Sequence, residues 1–302
     1  VRAGDRRALA RALSLAERGG SEAEELIGDL YGDTGSAYRV GVTGPPGVGK
    51  STLIAALVRH VRGLGRSVGV ITVDPSSPFT KGALLGDRIR LSEHFLDPDV
   101  FIRSMGTRGH PGGLAEATLE ALLVLDAAGR ELLFVETAGV GQSEVAVTGV
   151  SDTVVLVLMP GSGDSIQALK AGVMEIPDLI ALNKRDHPEA AATLSELKHA
   201  LSLGSERKIP VVSTRADSGE GVDRLWGKIE DHRSAQERAG TLEQRRRESL
   251  RRELLGLAAG RIRRELERAA AADKGLEKLV SDVAEKKLDP LSAARMLRSL
   301  LD

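Results

Sequence analysis

Residues 44–52 read GPPGVGKST, the spacing G-x-x-x-x-G-K-[ST], directly behind the apolar run YRVGVT and ahead of the amphipathic stretch TLIAALVRHV. A strand, a glycine-rich turn and a helix in that order form a cradle for a polyphosphate. Gly44, Gly47 and Gly49 let main-chain N–H groups curl around a β-phosphate at the positive end of the following helix. Pro45, Pro46 and Val48 complete the turn, Lys50 is placed to neutralise β- and γ-oxygens, and Ser51 to put its hydroxyl on Mg²⁺, with Thr52 next in the helix.

A second group lies at 181–186, ALNKRD, again at the end of an apolar run. Asn183, Lys184 and Asp186 have the spacing of a guanine reader: the Asp186 carboxylate accepts from both N1–H and the 2-amino group. Adenine offers no donor at either place, so it would leave a carboxylate unpaired. Further on, Ser213, Thr214 and Arg215 are expected to brace the base from its other side. The expected ligands are therefore GTP and GDP with Mg²⁺.

Three carboxylates complete the chemistry. Asp74 ends the run SVGVITVD, Asp87 sits in LLGDRIRL, and Glu136 ends ELLFVE. Asp74 and Asp87 also suit a turn or helix cap. Behind a phosphate loop, however, residues leaving neighbouring strand ends point at the phosphates, because open parallel sheets bind ligand at their carboxyl edges. Glu136-Thr-Ala-Gly139 resembles the Asp-x-x-Gly switch of Ras-like GTPases with a carboxylate one methylene longer. Lys50, Asp74, Asp87 and Glu136 are the expected catalytic set, with Ser51, Asp74, Asp87 and Glu136 toward the metal. No residue stands out as the positioner of the attacking water, since Gln142 lies three places past Gly139.

The elements that must hold these groups follow from the hydrophobic pattern. Short Val/Ile/Leu runs alternate with helical stretches from 37 to about 235, indicating a mostly parallel, doubly wound α/β sheet buried on both faces. Residues 1–36 read as an N-terminal helical extension, with Leu9, Ala12, Leu13 and Ala16 on one face, and 236–302 as a helical C-terminal region. There a stripe through Leu250, Leu254, Leu257, Ala258, Ile262 and Leu266 is flanked by arginines, and Asp289 and Pro290 open a last helix. The net charge of −1 gives no support to a polyanion surface, and 2% aromatics are too few to stack single-stranded nucleic acid. Zero cysteines remove disulfides and thiolate metal sites and fit a cytoplasmic location. The longest apolar run, TVVLVLM, is far short of the roughly 20 residues that span a bilayer. His60, His94, His110, His187, His199 and His232 are scattered without metal-ligand spacing. GTRGHPGG at 106–113 lacks a lysine and reads as a connector.

Taken in order, GPPGVGKST, VDPSSPFTKGALLGD, TRGHPGGL, VETAGVGQSE and NKRD closely resemble the methylmalonyl-CoA mutase-associated GTPase family, over nearly the whole chain. Members also go by the name of lysine/arginine/ornithine transport kinases. The resemblance implies a GTP-hydrolysing chaperone that gates cobalamin loading of an adenosylcobalamin-dependent acyl-CoA mutase and protects that enzyme. It leaves open whether a cobalamin adenosyltransferase joins in. It also implies a third switch at 161–172, with Asp164, Gln167 and Lys170 coupling to the mutase, and a C-terminal arm that forms a homodimer. Two other readings stand beside it. A kinase linked to a basic amino acid transport system would prefer ATP, against NKRD, and metal delivery lacks Cys and clustered His.

Overall fold

The computed structural model describes residues 1–74, 91–106, 116–137, 147–161, 177–204, 208–272 and 275–298. Seven strands form one sheet: β1 (Tyr38–Thr43), β2 (Val68–Asp74), β3 (Val100–Gly106), β4 (Leu132–Thr137), β5 (Thr153–Leu158), β6 (Leu179–Leu182) and β7 (Val211–Ser213), in the order β3-β2-β4-β1-β5-β6-β7. All pairings are parallel. The continuous apolar runs thus became strands buried on both faces, as a doubly wound sheet requires. With β1 central, the chain winds out through β2 and β3, returns at β4, and crosses β1 to build β5, β6 and β7. Every strand therefore delivers its carboxyl end to the same edge, and the reversal at β1 opens a crevice there.

Helices α1 (Arg6–Arg18), α2 (Ser21–Leu30), α3 (Lys50–Gly63), α4 (Glu116–Ala127), α5 (Ala190–Gly204) and α6 (Val222–Ala239) cover the faces. The pleat sorts the side chains. Val40, Val42, Leu132 and Phe134 pack with Leu53, Leu57, Leu225 and Ile229 of α3 and α6. Leu133, Val135, Ile71 and Phe101 pack on the other face with Leu9, Leu13, Leu122 and Leu125 of α1 and α4. Leu156, Leu158, Ile180 and Leu182 meet Leu197 and Leu201 of α5. The N-terminal helices are thus part of the core: Leu9, Ala12, Leu13 and Ala16 are all buried, the leucines contributing about 1.5–3 kcal/mol each. Asp5 caps α1 by accepting from Ala8 N at 2.6 Å.

At the amino edge of the sheet, opposite the crevice, two arginines at the start of α7 (Thr241–Ala272) reach the strand entrances. Arg246 forks onto Asp152, Nε to Oδ1 and Nη2 to Oδ2 both at 2.8 Å, and donates to Gly35 O and Ala37 O at 2.8 and 2.9 Å. The Asp152 carboxylate holds the Arg246 guanidinium above its ordinary pKa. Arg245 pairs with Asp178, whose carboxylate also accepts from Val154 N at 2.8 Å. The Tyr38 hydroxyl, Thr153 and the His232 ring form a hydrogen-bonded chain beside them, and burial pushes the Tyr38 phenol up.

The chain divides into two compact units, 1–246 and 247–302. The second holds the rest of α7 with α8 (Gly275–Ala284) and α9 (Pro290–Arg298). Asp289 caps α9, accepting from Leu291 N and Ser292 N at 3.0 Å each, with Pro290 as the first helical residue. Leu250, Leu254, Leu255 and Ile262 of α7 are exposed, while Leu257 and Leu266 of its apolar stripe are half-buried. Among the described residues no helix is long and apolar enough to cross a membrane.

Candidate nucleotide site

The glycine turn behind β1 is shaped by its neighbours. Gly44 has φ 139°, and a Cβ there would lie 2.2 Å from Val157 O, so the turn presses against β5 too closely for any side chain. Gly47 and Gly49 also take positive φ, 79° and 92°. Gly49 precedes α3 with no side-chain cap, so the first-turn N–H groups face the turn rather than a capping oxygen. Lys50 is buried, and its Nζ donates to Gly44 O at 2.8 Å and Pro45 O at 3.1 Å. The ammonium thus sits inside the ring of main chain that the motif predicts around a β-phosphate.

Glu136 reaches this point by strand parity. It continues the Leu132–Phe134 row facing α3, and its cross-strand neighbours are Val42 of β1 and Thr72 of β2. Its Oε1 accepts from the Ser51 hydroxyl at 2.7 Å, with both residues buried. The longer carboxylate therefore spans the gap to the first helical serine behind the glycine turn. On the opposite face, Thr137 donates to Thr43 Oγ1 at 2.9 Å, fastening the end of β4 to the end of β1. Asp74 closes β2, paired in register with Gly106 at the same edge, but its side chain lies outside the described residues. Asp87, Gly139, Asp164, Gln167 and Lys170 lie outside them as well.

The loop expected to read guanine is laced to the glycine turn through Asn183. This buried amide donates from Nδ2 to Val48 O at 2.9 Å, and its Oδ1 accepts from Thr214 Oγ1 at 3.2 Å and Ala216 N at 3.1 Å. One side chain thus joins the glycine turn, the end of β6 and the loop after β7. The absence of a side chain on Gly49 makes room for it, since a Cβ there would be 2.5 Å from Asn183 Nδ2. Lys184 takes φ 57°, which rotates the chain so that Asp186 stands outward, its side chain 51% exposed. Ser213, Thr214 and Arg215 lie across from it, tied by Arg185 N to Thr214 O at 3.1 Å. Gly221 closes this second loop against Ser213 O, which a Cβ would approach to 2.4 Å.

Two residues in this loop carry a role that the pattern alone did not bring out. Asp217 accepts the Arg215 fork, Nε at 3.0 Å and Nη2 at 3.3 Å, and Glu220 pairs with Arg185 at 2.6 Å. The Arg215 guanidinium beside it holds the Asp217 carboxyl below its usual range. The signal was present in RADSGEG, where two carboxylates follow an arginine at short spacing, but it reads equally as a polar turn.

The chain is similar to several known proteins. Residues 9–273 match the family model described as methylmalonyl Co-A mutase-associated GTPase MeaB. A protein of Pyrococcus abyssi that carries the name GTPase is 49% identical over 304 residues, covering 98% of this chain and 93% of its own length. A mouse mitochondrial protein, the methylmalonic aciduria type A homolog, is 36% identical over 216 residues, covering 69% of this chain and 52% of its own. Among solved structures, one titled LAO/AO transport system kinase superposes with a TM-score of 0.72 at 26% identity, covering 99% of this chain and 94% of that one.

Proposed function

The chain belongs to the methylmalonyl-CoA mutase-associated GTPase family, and from that premise we propose that it is a GTP-driven chaperone of an adenosylcobalamin-dependent acyl-CoA mutase. That it is a GTPase follows from the family itself. The partner, the gating of cobalamin loading and the protection of the mutase are our reading, favoured by the family description and by the mouse relative's name.

The observation that carries the switch reading is the buried Ser51–Glu136 hydrogen bond. It joins the phosphate turn to the strand end from which a switch segment leaves, so occupancy of the first bears on the second. The donors there, one hydroxyl and one carboxylate, suit a small hard cation, and we assign Ser51 and Glu136, with Asp74 and Asp87, to Mg²⁺. When bound, that ion offsets charge on the β- and γ-phosphates. Lys50 would exchange its carbonyl partners for phosphate oxygens, and the glycine-turn N–H groups would hold the β-phosphate as the leaving group while water attacks the γ-phosphate in line. Asp186 reads the guanine edge, Asn183 holds the two loops at a fixed spacing, and Lys184 and Thr214 flank the base.

We further assign residues 161–172 to mutase coupling through Asp164, Gln167 and Lys170, and the exposed apolar stripe of the C-terminal helices to pairing with a second copy. An expected GTPase zone at 37–235 between helical extensions belongs to the same reading, as does a cytoplasmic location. The test is GTP turnover and co-elution with an adenosylcobalamin-dependent mutase, in the presence of GDP and of a non-hydrolysable GTP analogue. Turnover should rise with the mutase, and complex formation should depend on the nucleotide. Unchanged turnover with no co-elution in either state would sink the chaperone reading and leave a GTPase with another partner.

A further inference from the structure

Two cations, Lys184 and Arg185, adjoin Asp186 in sequence and a third, Arg215, approaches it in space, and each is turned to a different partner. Lys184 Nζ donates to Met159 Sδ at 3.2 Å. Arg185 Nη1 lies 2.6 Å from Glu220 Oε1. Arg215 engages both oxygens of Asp217, at 3.0 and 3.3 Å, which leaves its Nε 3.8 Å from Asp186 Oδ1. Among the described residues that long approach is the ion pair Asp186 makes, and its carboxylate stays half exposed.

We propose that Asp217, seconded by Glu220, is a positioning residue for guanine recognition: it holds Arg215 back from Asp186, so that the Asp186 carboxylate stays open to the base. The chemistry is a competition between donors. Guanine needs both Asp186 oxygens for N1–H and the 2-amino group, and an arginine fork matches the same two oxygens. An arginine seated there would be displaced each time a nucleotide bound. Asp217 removes the competitor by offering the fork an equivalent carboxylate, and the loop fixes that offer in place. Ser218 N donates to Asp217 Oδ1 at 2.8 Å, Arg215 N to Glu220 O at 2.8 Å, and the Ser218 hydroxyl to Arg215 O at 3.3 Å. Without Asp217, the Asp186 carboxylate is already within about one ångström of a direct pair with Arg215. Glu220 does the same for Arg185, the other arginine beside Asp186 in sequence.

The inference rests on Asp186 as the guanine acceptor, and the experiment separates the two. Affinity for a fluorescent GDP is measured for wild type and for D217A, R215M, D217A/R215M and D186A, at about 50 mM and about 500 mM salt, where the Debye length shrinks from about 14 Å to about 4 Å. D217A is expected to bind GDP about three- to fivefold more weakly at low salt, the range of an exposed ion pair. The double variant should return to wild-type affinity, because the freed competitor is gone, and the D217A deficit should fade at high salt. A double variant as weak as D217A, or weaker, would mean that the loop had collapsed or that Arg215 grips the base, and either overturns the proposal. D217A with wild-type affinity overturns it as well. If D186A also binds as wild type, the guanine reading of Asp186 falls; if D186A is weak while D217A is not, only this inference falls.

Discussion

Replacing Asn183 by alanine should damage stability and nucleotide retention together. The side chain is 3% exposed and makes three hydrogen bonds, to Val48 O, Thr214 Oγ1 and Ala216 N. At about 1 kcal/mol net for each, the loss is about 3 kcal/mol, because all three partners are buried. For a unit of this size that corresponds to a fall in Tm of about 6–12 °C. Unfolding in urea, with GDP absent, measures the term directly. Asn183→Asp sharpens the test: its carboxylate still accepts from Thr214 and Ala216 but turns a second acceptor toward Val48 O. The aspartate variant should therefore keep the loop after β7 in place and loosen the glycine turn, with GDP dissociating at least tenfold faster. A loss below about 1 kcal/mol in the alanine variant, with unaltered GDP release, would refute the idea that this amide holds the two halves of the site at a fixed distance.

Three further outcomes follow from the geometry. Glu136→Ala should leave GDP affinity near wild type, since the turn and Asp186 are intact, while lowering kcat by about two orders of magnitude, the scale of one lost transition-state contact; normal Mg²⁺-dependent turnover would reduce the Ser51 contact to packing. Arg246→Met should cost about 2–3 kcal/mol in chemical denaturation, because it leaves the buried Asp152 carboxylate unpaired, with the one-third exposure of Arg246 keeping the loss below the fully buried range. Asp97, whose carboxyl the Arg62 guanidinium holds below its usual range, contributes stability that is complete above the unfolded carboxylate pKa of about 4 and is lost as pH falls through its lower folded value. Arg62→Met should thus flatten the stability profile between pH 4 and the acid limit, read as Tm against pH.

Much of the architecture was legible because it is written in short-range pattern. Apolar runs such as TVVLVL have no amphipathic side to expose and had to become interior strands. The glycines at 44, 47 and 49 declared a turn that L-residues cannot make, and the strand parity that aims Glu136 at α3 follows from counting by two. What stayed hidden joins residues far apart in sequence. Arg246 and Asp152 are 94 positions apart, and Thr137 and Thr43 are also 94, so no local spacing announces either pair. The Asp217 screen was hidden for a different reason: its partner is two residues away, and a turn rich in Asp, Ser and Gly hides a charge pair among ordinary turn residues.

The grip of Arg245 and Arg246 on the strand entrances bears on how this molecule can be taken apart. Both arginines lie beyond the last strand and beyond α6, yet they bring a guanidinium to Asp152 and to Asp178 and donors to the carbonyls of Gly35 and Ala37. A shortened chain that stops at the glycine ending α6, Gly240, would keep the glycine turn and the loops around Asp186 and still take the arginine from two buried acids at the foot of the sheet. Any autonomous nucleotide-binding fragment, or any graft of a foreign arm onto this body, therefore has to carry the first turn and a half of α7 as part of the body's own foundations.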